Sequence, residues 1–286
     1  MTSSVAVLRD VAALRAAVRG WREKGERVAL VPTMGALHAG HASLVTEGLK
    51  RADRVVASIF VNPTQFAPTE DFSKYPRTFD ADLAKLAAAG ASACFAPGVE
   101  DMYPKGFCTA VGLEGPAKAD LEDRFRPTHF AGVATVVAKL LNQAGADCAI
   151  FGEKDYQQLK VVAQMARDLD IATEIVGAPT VREADGLAMS SRNVYLSPDE
   201  RTKAVAIFGA LSTAAGRIAA GEVLGHVMAD AREEIVAAGF AIDYIEARHA
   251  ETLDRVARRA DGPIRVLAAA KLGATRLIDN VAVPHD

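Results

Sequence analysis

VALVPTMGALHAGH, residues 28–41, decides the fold class. Residues 28–32 are an almost unbroken apolar run, which suits a strand covered on both faces. Thr33-Met34-Gly35 then turns the chain, and helical spacing takes over from about residue 41. Four further runs of the same kind follow: VVASIFV (55–61), ACFAP (93–97), CAIFG (148–152) and TEIV (173–176). Between them, apolar residues recur at helical spacing over about 41–51, 78–89, 131–143 and 156–168. Leu83, Leu86 and Ala87 lead into Gly90, which is placed as a C-cap. Strands alternating with helices predict an α/β domain with a doubly wound parallel sheet, Rossmann-like in type.

Outward from that core the pattern changes twice. Residues 98–130 carry Pro104, Gly106, Gly112, Gly115, Pro116 and Pro127, and read as loop with one short strand at 107–113. A long irregular insertion in a compact domain is often functional. Past Gly177-Ala178-Pro179, Ser197-Pro198-Asp199-Glu200 has the form of a helix start. Two helices are expected to about residue 238, then strands at 241–248, 264–270 and 275–281. Helices followed by strands predict a smaller α+β domain. The expected division is 1–177 for the Rossmann-like domain and 178–286 for the smaller one. A length of 286 residues agrees with two domains at ~150 residues each.

Composition excludes several classes. Lys plus Arg is 33 and Asp plus Glu 36, a net charge of −3, with no electrostatic footprint for nucleic acid. Cys94, Cys108 and Cys148 form no C-x-x-C pair, so a zinc knuckle is not indicated, and their sparse, odd number fits a reducing compartment. Arg9 and Asp10 interrupt the N-terminal apolar run before it reaches signal-peptide length. No run of eighteen apolar residues is present, so no membrane span is expected. A cytoplasmic protein is the default. P-loop, G-x-G-x-x-G, H-E-x-x-H and G-x-S-x-G motifs are all missing.

Four segments carry chemistry, three at the ends of predicted strands and one past the domain junction. His38 and His41 are three apart at the start of a helix, where imidazoles and free N–H groups suit phosphate. Gly40 between them lets a ligand approach the backbone. The same tetrapeptide also suits two surface histidines or half of a metal site. Gly152, Glu153, Lys154 and Asp155 follow the fourth strand. Lys154 supplies a point charge for a triphosphate, and Asp155 can accept from it, meet Mg²⁺ through water, or cap a helix. Met189, Ser190, Ser191 and Arg192 combine hydroxyls and a guanidinium into a phosphate clamp on a loop able to act as a lid, or make a plain solvated turn. Asn62 and Gln65, after the second strand, bring neutral amides suited to the hydroxyls and carboxylate of a small acid. An Asn-Pro turn is the simpler reading there.

Taken together, PTMGALHAGH (32–41), FVNPTQF (60–66), FGEKDYQQL (151–159) and MSSRNVYLSP (189–198) resemble the pantothenate synthetase family, the pantoate–β-alanine ligases of the nucleotidylyltransferase superfamily. RPTHF (126–130) before GVATVVAKLLN adds to the likeness, which runs from about residue 28 to 198. Members join pantoate to β-alanine with ATP and Mg²⁺ through a pantoyl adenylate, and are usually cytoplasmic homodimers. The resemblance implies that Met34, Gly35, Ala36, Leu37, His38, Ala39, Gly40 and His41 line an ATP site. His41 is then the catalytic histidine, assisted by His38 and Lys154. It adds Gly152, Glu153, Lys154, Asp155, Val181, Met189, Ser190, Ser191 and Arg192 to the nucleotide site. Gln65, Gln158 and Asn62 are assigned to pantoate and β-alanine. Protein ligands for the metal are not implied. At Thr128 and Ala131 the chain departs from members with glycine and arginine there, which bears on an oligomer or phosphate contact.

Two other functions compete. A nucleotidylyltransferase would keep AMP on its product, and the FVNPTQF segment speaks against it. A silent nucleotide-binding module would bind ATP without releasing pyrophosphate, and His41, Lys154 and Arg192 speak against that. A tRNA ligase is disfavoured by the short, slightly acidic chain.

Overall fold

Val28, Ala29, Leu30 and Val31 are all fully buried, the expected result for a strand with helices on both sides. Their side chains divide by the strand period of two. Val28 and Leu30 enter one core, with Leu14, Val18, Val56, Phe95 and Met165. Ala29 and Val31 enter another, with Leu44, Val45, Ala57, Leu86 and Ile150. The structure, a computed structural model, describes residues 5–66, 72 and 75–284; the outer ends of both expected domains lie outside these.

In order, the elements of the first part of the chain are β1 (Ala6–Leu8), α1 (Val11–Arg22), β2 (Val28–Thr33), α2 (Ala39–Leu49), β3 (Arg54–Ile59), α3 (Phe79–Ala89), β4 (Ala93–Phe95), α4 (Val99–Met102), α5 (Glu122–Phe125), α6 (His129–Ala144), β5 (Cys148–Gly152), α7 (Tyr156–Asp168) and β6 (Glu174–Ala178). The six strands form one sheet in the order β1-β4-β3-β2-β5-β6, and every pairing is parallel. Helices α1, α6 and α7 cover one face, and α2 and α3 the other. The winding reverses between β2 and β5, so a crevice opens beyond the carboxyl ends of those two strands, where ligands of doubly wound sheets bind.

The expected strands and helices of this part are present within a few residues, except one strand, and α1, α4, α5 and β1 form in addition. β1 was not expected: it has only three residues, two of them exposed, and lies at the sheet edge. The strand expected at 107–113 does not form. Val111 donates its N–H to Thr135 Oγ1 at 2.9 Å, so a side chain of α6 takes the place of a ladder partner. Gly90 does cap α3, at φ +88°.

The second part contains α8 (Pro198–Lys203), α9 (Ala206–Ala219), α10 (Leu224–Ala237), β7 (Ala241–His249), β8 (Ile264–Leu272) and β9 (Thr275–Ala282). There are three helices before the strands, not two, because the chain breaks between Lys203 and Ala206. Ser197 starts α8 with a capping box to Glu200. The sheet is antiparallel in the order β7-β8-β9. Its inner face, including Val266, Ala268 and Ala270, packs on Ile207, Leu211, Val227 and Ile235 of the helices.

The chain divides into two compact units, residues 1–153 with 158–179, and residues 154–157 with 180–286. Four residues that directly follow β5 thus count with the second unit.

Candidate active site

The turn after β2 is built from consecutive left-handed residues, Gly35 at φ +87° and Ala36 at φ +50°. Such a conformation is easy for glycine and unfavourable for alanine. It is held from α3. Asp82, buried, accepts from the N–H groups of Ala36 at 2.9 Å and Leu37 at 2.8 Å, and from Thr78 Oγ1 at 3.1 Å. Lys85 donates to the Leu37 carbonyl. The turn also leaves no room at Gly35: a Cβ there would sit 3.2 Å from both Asp82 and Ile59.

This turn delivers His38 to the N-cap of α2 and His41 to its third position. The two cap each other. Gly40 N–H donates to His38 Nδ1 at 3.1 Å, and His38 N–H donates to His41 Nδ1 at 3.3 Å. The ring centroids are 4.1 Å apart. The spacing of three does bring the rings together, but His38 is extended, at φ −131°, and precedes the first turn instead of lying on it. Each Nδ1 accepts a backbone N–H, so the neutral ring carries its proton on Nε2. Both histidines are thereby set as Nε2–H donors.

Asn62 caps a 3₁₀ turn at Pro63–Gln65 after β3. Its Nδ2 donates to Gln65 Oε1 at 3.1 Å and to the Gly132 carbonyl at 3.2 Å. Its Oδ1 accepts from Thr64 Oγ1 at 3.0 Å and from the Tyr103 hydroxyl at 2.7 Å. Burial pushes the Tyr103 phenol up, keeping it a donor to Asn62. The amide of Asn62 thus has both donors engaged inside the protein. Gln65 Nε2 lies 3.1 Å from Met34 Sδ, which joins the ends of β2 and β3. The Gln65 carbonyl meets His129 Nδ1 at 3.0 Å and Arg126 Nη2 at 3.4 Å. α6 approaches this turn so closely that a Cβ on Gly132 would lie 2.4 Å from the Thr64 oxygen. Gln158 is half-buried on the first turn of α7. Thr128 and Ala131 are exposed, so the departure from the family pattern leaves this packing intact.

The second unit carries Lys154, Asp155, Val181, Met189, Ser190, Ser191 and Arg192. Arg182 and Ala188 form an antiparallel bridge, and Met189 N–H reaches the Val181 carbonyl at 3.0 Å. That hairpin brings Val181 beside Met189. Ser190 Oγ accepts from Arg192 N–H at 3.2 Å and begins a 3₁₀ turn, Ser191–Tyr195. Asn193 ties the turn back to Glu183 Oε1 at 3.0 Å and to the Ala188 carbonyl at 3.1 Å. Arg201 bridges Glu183 and Asp185 at 2.8 and 2.6 Å and holds the Asp185 carboxyl below its usual range. Lys154, Ser190 and Arg192 line one pocket. Lys154 Nζ is 3.6 Å from Asp155 Oδ2.

The family profile described as pantoate-beta-alanine ligase matches residues 6–282. The chain belongs to that family. Pantothenate synthetase 2 of Bradyrhizobium diazoefficiens is 62% identical over 283 residues, 99% of this chain and all of the relative. The pantothenate synthetase of Thermus thermophilus, a solved structure, superposes with a TM-score of 0.92 at 46% identity, covering 98% of this chain and 100% of that one. The pantoate–β-alanine ligase of Francisella tularensis, solved with β-γ ATP and β-alanine, superposes with a TM-score of 0.80 at 31% identity, covering 99% of each chain.

The motif residues do sit at strand ends and on the 182–192 hairpin. Several residues that hold the motif segments were not singled out from sequence: Asp82 and Tyr103 in the first unit, and Arg182, Asp279 and Asn280 in the second. Asp82 left the clearest trace, a charge on the apolar stripe of Phe79, Leu83 and Leu86. Asp279-Asn280 left another, a polar pair inside an apolar β run.

Proposed function

We propose that this chain condenses pantoate with β-alanine, using ATP, to give pantothenate, AMP and pyrophosphate. The observation that carries the reading is the pair of mutually capped histidines at the carboxyl end of β2, beside the Met34–Gln65 contact and at the sheet's reversal point. A pantoate carboxylate oxygen attacks the α-phosphorus of ATP, and the bond to the β-phosphate oxygen breaks with pyrophosphate taking the electron pair. The Nε2–H groups of His38 and His41, with Lys154, Ser190, Ser191 and Arg192, donate to the charge that develops. Losing one such donor typically reduces rate by ~10²–10³. The β-alanine amine then attacks the acyl carbon of the pantoyl adenylate. AMP leaves with the electrons of the acyl–oxygen bond, and the ammonium proton is released. No enzyme nucleophile is needed, because the adenylate is itself the activated acyl group.

Gln65 and Gln158 are read as the pantoate ligands, with Gln65 also near β-alanine, and Asn62 as the group that orients Gln65. Met34, Gly35, Ala36, Leu37, Ala39, Gly40, Gly152, Glu153, Asp155, Val181 and Met189 are read as lining ATP. Magnesium is read as part of the MgATP substrate. Mg²⁺ prefers oxygen ligands and retains waters, so phosphate oxygens and water can carry it. Work in the cytoplasm as a homodimer is part of the reading and rests on family likeness. Among the described residues no helix is long and apolar enough to cross a membrane.

The deciding test is ATP–pyrophosphate exchange without β-alanine, run with and without pantoate. Exchange that depends on pantoate supports the adenylate. ATP binding without any exchange refutes it.

A further inference from the structure

Asp279 and Asn280 are adjacent on β9, so their side chains leave the sheet on opposite faces. Both are buried, at 5% and 3% exposure, and buried polar groups need partners. Asp279 holds Arg182 through two bonds, Oδ2 at 2.6 Å and Oδ1 at 2.9 Å. The Arg182 guanidinium also lies 3.7 Å from the ring centroid of Phe208 in α9 and donates to the Gly186 carbonyl at 3.1 Å. Arg182 is thus fixed at the base of the hairpin that presents Ser190, Ser191 and Arg192. Asn280 works on the other face. Its Nδ2 donates to the Lys154 carbonyl at 2.9 Å, and its Oδ1 accepts from Arg265 Nε at 2.6 Å. Arg265 in turn lies 4.0 Å from the Tyr156 ring centroid, while the Tyr156 hydroxyl donates to the Ala250 carbonyl at 2.9 Å. The segment 154–157 is therefore bound to the small sheet at two points and to Ala250, just past β7, at a third, which explains why it counts with the second unit.

We infer that the Asp279–Asn280 pair is a positioning device: it fixes, in one frame, the two segments that supply donors to the ATP phosphates, although those segments are more than thirty residues apart in the chain. Lys154, Ser190, Arg192 and Asp279 line the same pocket, so the strand that anchors the donors also forms part of its wall. Neither residue is required to touch a substrate. The inference rests on the reading that Lys154 and the 190–192 turn receive those phosphates.

Asn280→Asp is nearly isosteric. It keeps the acceptor for Arg265 but sets an oxygen against the Lys154 carbonyl oxygen. Asn280→Ser removes the donor without adding charge. Displacing a donor by an ångström can lose ~10²-fold in rate, and the expected result is a rise of ~10-fold or more in KM for ATP, with KM for pantoate unchanged within about twofold. The cycle with Lys154→Ala supplies the second readout. In that background the Asn280 effect should shrink to about twofold or less. Asp279→Asn is run in the same way against Arg192→Ala. An Asn280 effect that persists undiminished without the Lys154 side chain, or that raises both KM values alike, overturns the inference. So do normal Asn280 variants beside a deficient Lys154→Ala. Lys154→Ala with an unchanged KM for ATP instead overturns the reading of the site itself.

Discussion

Replacing Asp82 with alanine removes one carboxylate and three hydrogen bonds. The Thr78 hydroxyl is on an exposed residue and turns to water at little loss. The N–H groups of Ala36 and Leu37 are different. Leu37 is only 3% exposed, and each buried donor left without an acceptor costs about 1–3 kcal/mol. Two such groups would put the loss for Asp82→Ala at roughly 2–6 kcal/mol, toward the low end because Ala36 is only half-buried and water can reach its N–H. Asp82→Asn keeps one acceptor oxygen and turns an NH₂ against the other N–H, so it should lose about half as much. Urea unfolding with unchanged slope measures both. The catalytic consequence is separate. Ala36 holds φ +50° because Asp82 and Lys85 grip the turn from α3. Released, the turn relaxes and shifts the histidine pair it delivers, so kcat should fall on the order of 10²-fold although Asp82 touches no substrate. A stability loss below about 1 kcal/mol for Asp82→Ala would refute the anchoring argument. A full stability loss with normal kcat would spare the anchor and refute its link to the histidines.

His41→Ala should retain its fold and lose ~10²–10⁴ in adenylation, read by ATP–pyrophosphate exchange; near-normal turnover removes His41 from the mechanism. Gly132→Ala places a Cβ against the Thr64 oxygen and must displace the Gln65 turn, so KM for pantoate should rise far more than KM for ATP. Equal changes would show a general disturbance instead. Burial pushes the Cys94 thiol up to about 11 and raises Cys148 as well, while Cys108 is exposed. A thiol-specific disulfide reagent at neutral pH should therefore titrate one cysteine in the native chain and three after denaturation. Because the folded Cys94 pKa is the higher one, its contribution to stability is complete below the unfolded value of 9.0 and is lost as pH rises toward 11. Urea midpoints between pH 8 and 11 test that sign, and a Cys94→Ala variant should blunt the fall.

The sequence was sufficient for the α/β class because each buried strand is a near-continuous apolar run, and apolar runs fail only where burial is slight. β1 escaped notice for that reason, with two of its three residues exposed. The expected strand at 107–113 failed the opposite way: Val111 and Leu113 do pack on the core, but a threonine hydroxyl satisfies the backbone that a ladder would have paired. The motif residues could be singled out because imidazole, ammonium, guanidinium and amide groups stand out beside apolar runs, although each also has an ordinary structural use. What held them was less legible.

By itself, the sequence determined the layers of the first unit, the helices-then-strands order of the second and which side chains are chemically suited to phosphate, all through local periodicity and residue chemistry. Only the tertiary structure decided the reversal between β2 and β5, the reach of Asp82 to Ala36 and Leu37, the Nε2–H state of the two histidines and the attachment of Lys154 to β9. Each of these depends on a hydrogen bond or strand pairing between groups whose separation in space is not set by their separation along the chain. Asn280 and the Lys154 carbonyl, 126 positions apart and 2.9 Å from each other, meet only once the small sheet has formed.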